Sequence, residues 1–142
     1  MTDPYNLQRF VEAQEPVIDQ ACAELAAGRK RSHWMWYVFP QIAGLGHSGI
    51  AQKFAIASLA EAKAYLAHPI LGERIRKCAD LVNRTNGPSI AEVFPFPDNL
   101  KFVSSMTLFA HAAAAENEVF LVAIEKYFGG EFDPLTMTRL SD

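Results

Sequence analysis

The sequence predicts an all-α protein: a compact single-domain bundle of about seven short helices with one aromatic, Gly-rich extended segment. Three observations predict it. Apolar residues recur at i, i+3, i+4 and i+7 along most of the chain. N-cap residues and two S-x-x-E capping boxes stand ahead of those stripes. Period-2 strand patterning and internal repeats are both absent from the 142 residues, a length that suits one domain, 1–142, with a buried core.

At the start of the chain, Asp3 is an N-cap with Pro4 at the first helical position, ahead of Leu7, Phe10 and Val11. A second helix runs from about Pro16 to Ala27, carries Ile18, Ala21, Cys22 and Leu25 on one stripe, and stops at Gly28. Ser48 caps a short helix bearing Ile50 and Phe54. Ser58-Leu-Ala-Glu61 opens a helix reaching His68, and Pro69 starts another with Leu71, Ile75, Cys78 and Val82 on one face. Asn86-Gly87-Pro88 is a turn, and Ser89-Ile-Ala-Glu92 is a second capping box cut short by Pro95 and Pro97. Asp98 caps a long helix to about Ala115, with Phe102, Ser105, Met106 and Phe109 on one side. Asn117 caps the next, with Phe120, Leu121, Ile124 and Phe128 inward and Gly129-Gly130 at its end, and Asp133-Pro134 starts a final turn or two.

Composition excludes several classes of function. Half the residues are apolar and a fifth charged, which fits a globular chain and not a disordered one. No apolar run reaches the ~20 residues of a membrane span, and the N-terminus lacks the pattern of a signal peptide. Cys22 and Cys78 sit at apolar helical positions without metal spacing, so they read as buried thiols in a reducing cytosol, and the expected location is cytoplasmic. Four His and two Cys show no zinc pattern, and the sequence names no cofactor.

The net charge of −3 is uneven. Residues 1–28 hold one base and five acids (−4), residues 29–101 ten and five (+5), and residues 102–142 two and six (−4). A basic middle between acidic ends either focuses a field on an anion or reflects solvated helix faces of differing sign. With no long basic stripe, general nucleic-acid binding is not expected.

Gly44, Gly46 and Gly49 spell G-x-G-x-x-G, but a dinucleotide fold needs a strand, a helix and a later acid within a βαβ unit, and the chain supplies no parallel strands. A milder reading remains: a glycine loop entering a helix N-terminus suits a phosphate or carboxylate, or is simply a tight turn.

The blocks "KRSHWMWYVFPQIAGLG", "AIASLAEAKAYLAHPILGERIRKC" and "DNLKFVSSMTLFAHAA" resemble, in order and spacing, a bacterial family catalogued as domain of unknown function 1810. The resemblance covers the chain from its first helix to about Leu140, and HWMW, FPQ and SSMTLF are long, unusual matches. It implies a compact, mostly helical, soluble single domain and no particular reaction. Some family members carry the label calpastatin, yet nothing here resembles a disordered protease-inhibitor repeat. The family pattern has Tyr where this chain has Phe54, and it does not include Gly49.

Two segments are nominated for chemistry. In the first, His33 stands beside aromatics as a candidate general base, with a structural ring as the plain alternative. Trp34 and Trp36 project to one side if the segment is extended, to stack on a planar ring or to fill the core. Gln41 sits where the chain turns, suited to reading an amide or base edge. In the second, Lys101, Ser104, Ser105 and Thr107 lie near a helix start, where N–H groups and an ammonium favour an anion. Three hydroxyls in four positions either back-bond to i−4 carbonyls or line a polar pocket.

The expected site is therefore one shared pocket. His33 and Ser105 are its catalytic candidates, and Trp34, Trp36, Gln41, Gly44, Gly46, Lys101, Ser104 and Thr107 its ligand-binding set. It would bind, and in one version act on, a small anionic or nucleotide-like ligand. The alternative is a non-enzymatic helical protein-interaction module whose aromatics form core and a surface patch.

Overall fold

The computed structural model describes residues 3–85 and 89–141, and the turn expected at Asn86-Gly87-Pro88 lies outside them. Ten α-helices occupy the described residues, with one 3-10 turn at Ala114–Glu116, so the all-α class stands, with ten short helices where about seven were expected.

The helix α1 (Gln8–Gln14) starts later than Asp3. Asn6 is left-handed (φ 52°), and the Asp3 carboxylate reaches past it to accept the N–H groups of Leu7 and Gln8 at 2.8 and 3.0 Å. Asp3 therefore caps from outside the helix and ties down its otherwise unpaired first amides. In α2 (Ile18–Ala26) the buried stripe is Ala21, Glu24 and Leu25, while Ile18 and Cys22 are only half-buried. The stripe is turned toward Glu24 because that carboxylate has partners inside.

The aromatic stretch is not extended. Met35–Val38 form a single helical turn, α3. At about 100° per residue, Trp34 and Trp36 point to opposite sides instead of the same side. Trp34 is fully buried against Phe39 and Phe94, whereas Trp36 is half-buried. Beyond Pro40 the chain runs extended for a few residues, and Ile42 and Ile56 form an isolated parallel bridge. The Gln41 carbonyl accepts Ile56 N–H at 2.8 Å, and Ile56 C=O accepts Ala43 N–H at 2.8 Å.

Next come α4 (Gly49–Lys53), α5 (Leu59–Ala67) and α6 (Leu71–Asn83). Half of the capping box at α5 forms as expected, with Ser58 Oγ accepting Glu61 N–H at 3.2 Å, while Glu61 Oε1 reaches one residue further back and accepts Ala57 N–H at 3.0 Å. His68 Nδ1 accepts the Ile70 and Leu71 amides and so caps α6, whose Leu71, Ile75, Cys78 and Val82 are all buried as the stripe requires. The short α7 (Ile90–Val93) starts after Ser89, whose hydroxyl makes no cap bond.

The helix α8 (Asp98–Ala112) is the centre of the molecule, with ten of its fifteen residues buried. A helix apolar on nearly every side must be surrounded, and α5, α7, α9 (Glu118–Phe128) and α10 (Pro134–Ser141) pack on it. Asp98 lies inside the helix's first turn, not at the cap. Phe39, Phe94 and Phe102 meet at 4.9–5.9 Å between ring centroids and join α8 to the Trp34 turn. Gly129 (φ 63°) ends α9 in the left-handed conformation that a C′ glycine supplies.

Candidate functional site

The two nominated segments do meet. Lys101, one turn into α8, places its Nζ 4.5 Å from the centroid of the Trp36 ring. A narrow slot of about 10 Å³ opens there, lined by Trp36, Gln41, Gly46, Phe54 and Lys101 among others. It adjoins a wider groove of about 450 Å³, which shares Gln41, Gly46 and Lys101 and adds Leu100, Ser104, Asp133 and Leu135. One ammonium, one carboxylate, an amide and a hydroxyl thus stand along a groove with apolar walls.

Local structure explains this convergence. The Ile42–Ile56 bridge engages the Gln41 backbone, which places its side chain at the slot. On α8, Leu100, Lys101 and Ser104 fall within one arc of the helix. The Ser104 hydroxyl is shared between Leu100 C=O and Asp133 Oδ2, each at 3.0 Å. Asp133 Oδ2 also accepts the Thr136 amide and hydroxyl, at 3.1 and 2.6 Å, and so caps α10.

Other members of the expected set go elsewhere. His33 is exposed and lines neither slot nor groove, because its neighbours Ser32 and Trp34 are both held by Glu24. Trp34 is core, its indole N–H donating to Glu24 Oε1 at 2.9 Å. Ser105 is turned about 100° from Ser104 and is fully buried, with its hydroxyl unpartnered. Thr107 is also fully buried, and its hydroxyl accepts Asp133 N–H at 2.9 Å, a clamp on the α10 entrance. His33 and Ser105 therefore do not face one another across the groove.

The glycines have packing reasons. Gly44 adopts φ 99°, and a Cβ there would lie 2.5 Å from the Arg139 guanidinium carbon. It borders a separate hollow with Ser58, Leu59 and Arg139. At Gly46 a Cβ would meet the Ala51 side chain at 2.5 Å, while Gly49 has open space around it. The helix after this loop is only five residues long, and Ser48 Oγ caps it by accepting Ala51 N–H at 3.1 Å. Packing at Gly44 and Gly46 and the short helix that follows account for the loop as a tight turn.

Charge is paired off as well. Asp98 lies between two lysines, 2.8 Å from Lys30 Nζ and 3.3 Å from Lys101 Nζ. Arg9 pairs with Glu61 and Arg74 with Glu15, at 3.0 and 2.9 Å. Lys30, Arg74 and Lys101 of the basic middle are thus matched by the chain's own acids.

Sequence reasoning missed Asp133, Leu100 and Leu135 as groove residues, and it missed Glu24 altogether. Asp133-Pro134 was legible as a helix start, but nothing in the local pattern shows which older segment the new helix docks against. For Glu24, an acid on an apolar stripe was the available signal. Burial disfavours its charge, but the N–H of Arg31, the Ser32 hydroxyl, the Trp34 indole and the Ser32 N–H all donate to it and hold its carboxyl down at about 2.

The whole arrangement has a close structural counterpart. The chain is similar to the conserved hypothetical protein Rv1873 from Mycobacterium tuberculosis, whose crystal structure matches with a TM-score of 0.96 at 52% sequence identity, over 99% of each chain. No curated protein matches it significantly. Residues 4–140 match the family described as "Protein of unknown function (DUF1810)", and the chain belongs to that family.

Proposed function

We propose that the groove beside Lys101 binds a small, planar, anionic ligand of nucleotide-like character. The observation that carries this reading is the Lys101 ammonium held over the Trp36 ring at 4.5 Å, at the mouth of a groove with a Gln and a Ser on its walls. An ammonium on an aromatic face is oriented and partly desolvated, which strengthens its pull on an anion. Leu100 and Leu135 offer apolar surface for a flat ring, and Gln41 offers a donor and an acceptor for its edge. The anion competes with Asp98, which already neighbours Lys101, so binding requires an ionic group near the ammonium and apolar contact together.

Thermal-shift measurements with AMP, ADP-ribose and inorganic phosphate test this. A nucleotide-type compound at about 100 times its Kd is expected to raise Tm by roughly 5–10 °C in the native chain. The shift should vanish in Lys101→Ala and shrink in Gln41→Ala, and it should persist in the remote Arg84→Ala. Equal shifts in all four proteins, or none with any compound, would end the proposal.

A second reading has its own observation. Phe96, Leu100 and Leu135 are 76%, 51% and 65% exposed, and the last two are on the groove. Such apolar residues suit a helical protein-interaction module. In that case Leu135→Asp abolishes capture of a protein partner, and small ligands leave Tm unchanged.

A further inference from the structure

The packing of α2 on α6 brings together the chain's two cysteines. Cys22 and Cys78, 56 positions apart, lie with their sulfurs 3.9 Å from each other. Neither lines the groove beside Lys101, so the chemistry of the pair does not depend on a ligand bound there. Their environments differ in the way a reactive pair requires. Cys78 is completely buried in the α6 face, whereas Cys22 is only half-buried at the rim of the seam and is open to solvent. Apolar filling alone does not explain why the residue at the rim is a thiol, placed against the other thiol of the chain.

The surroundings favour the charged form of the outer sulfur. The hydrogen bond between the two sulfurs is the main influence drawing the Cys22 thiol down, to about 6; burial opposes it, and the charge of Lys77 assists. Asp19 on α2 works against the thiolate and Arg74 on α6 for it. A thiolate that is accessible and still basic enough to attack is the reactive kind, whereas a buried neutral thiol waits as its partner.

We infer that Cys22 and Cys78 form a hydroperoxide-reactive dithiol, in which Cys22 is the attacking sulfur and Cys78 the resolving one. The Cys22 thiolate attacks the terminal peroxide oxygen, an S–O bond forms and the O–O bond breaks. The alkoxide or hydroxide that leaves takes up a proton to become alcohol or water. The Cys78 sulfur then attacks the Cys22 sulfenic acid. An S–S bond forms, the S–O bond breaks, and the hydroxyl departs with the Cys78 proton as water. The two thiols lose two electrons in total, and the peroxide gains them. Closing the contact to the ~2.05 Å of a disulfide requires the two sulfurs to approach by about 2 Å. The product staples α2 to α6.

The test uses the reduced full-length chain with one equivalent of hydrogen peroxide, read by intact mass, peptide mapping and melting. The expected product is lighter by two hydrogen atoms, yields one peptide joining Cys22 to Cys78, melts roughly 5–15 °C higher, and reverts with dithiothreitol. In Cys78→Ser, dimedone should trap a sulfenic acid on Cys22. In Cys22→Ser, whose altered side chain is at the rim, Cys78 should stay reduced in the folded protein. The inference is overturned if the native chain keeps both thiols while glutathione under the same conditions is consumed. It is equally overturned if the disulfides formed join separate molecules, or if Cys22→Ser reacts as fast as the native chain. The native-chain measurement decides the matter even where Cys78→Ser does not fold.

Discussion

Glu24 and Trp34 are joined inside the protein: Glu24 Oε1 accepts the indole N–H at 2.9 Å, beneath a ring with no exposed surface. The same carboxylate accepts the amides of Arg31 and Ser32 at 2.7 and 3.0 Å and the Ser32 hydroxyl at 2.7 Å. One side chain on α2 thereby organises the whole approach to α3. Glu24→Gln places an NH₂ donor among these donors, and it should cost about 2–4 kcal/mol in urea unfolding at pH 7.

The same carboxylate sets a pH dependence. Its folded value, about 2, lies below its ordinary 4.5, so its contribution is complete above about pH 4.5 and is lost as pH falls through 2. The depression corresponds to about 3 kcal/mol. Native protein should therefore lose more stability than Glu24→Gln when urea unfolding is repeated at pH 3.

Arg9 is the second organising charge. Its guanidinium bonds Glu61 at 3.0 Å and the carbonyls of Tyr5, Asn6, Lys53 and Ala55 at 2.6–2.9 Å. Glu61 is only 3% exposed, so Arg9→Met leaves a buried carboxylate without its cation and should cost roughly 3 kcal/mol. Glu61→Gln in the same chain should recover part of that loss, a coupling that a double-mutant cycle measures.

Ser104 and Ser105 should respond in opposite directions. Ser105 buries an unpartnered hydroxyl, so Ser105→Ala is expected to stabilise by about 1 kcal/mol. Ser104→Ala removes a bond to Asp133 and should destabilise by about 1 kcal/mol. Paired denaturant titrations give the sign of each.

The glycine loop holds one crowded position and one open one. Gly44→Ala forces a side chain into positive φ against Arg139 and should cost roughly 1–3 kcal/mol. Gly49→Ala meets nothing and should be neutral or slightly stabilising. Thermal melts of the two variants make the comparison.

The sequence by itself determined the helical class, the stripe of α6, the capping box at Ser58–Glu61 and the stop at Gly129, because each depends on neighbours within four or five residues. It also identified both segments that meet at Lys101 and Trp36. Only the tertiary structure decided that Trp34 goes inward while Trp36 goes outward, that Ser104 faces Asp133 while Ser105 faces the core, and that His33 remains in solvent. Those choices rest on contacts between separate elements, such as Trp34 with Glu24 and Ser104 with Asp133. Local periodicity says which residues share a face; which distant face they meet is set by how the helices fill space around α8.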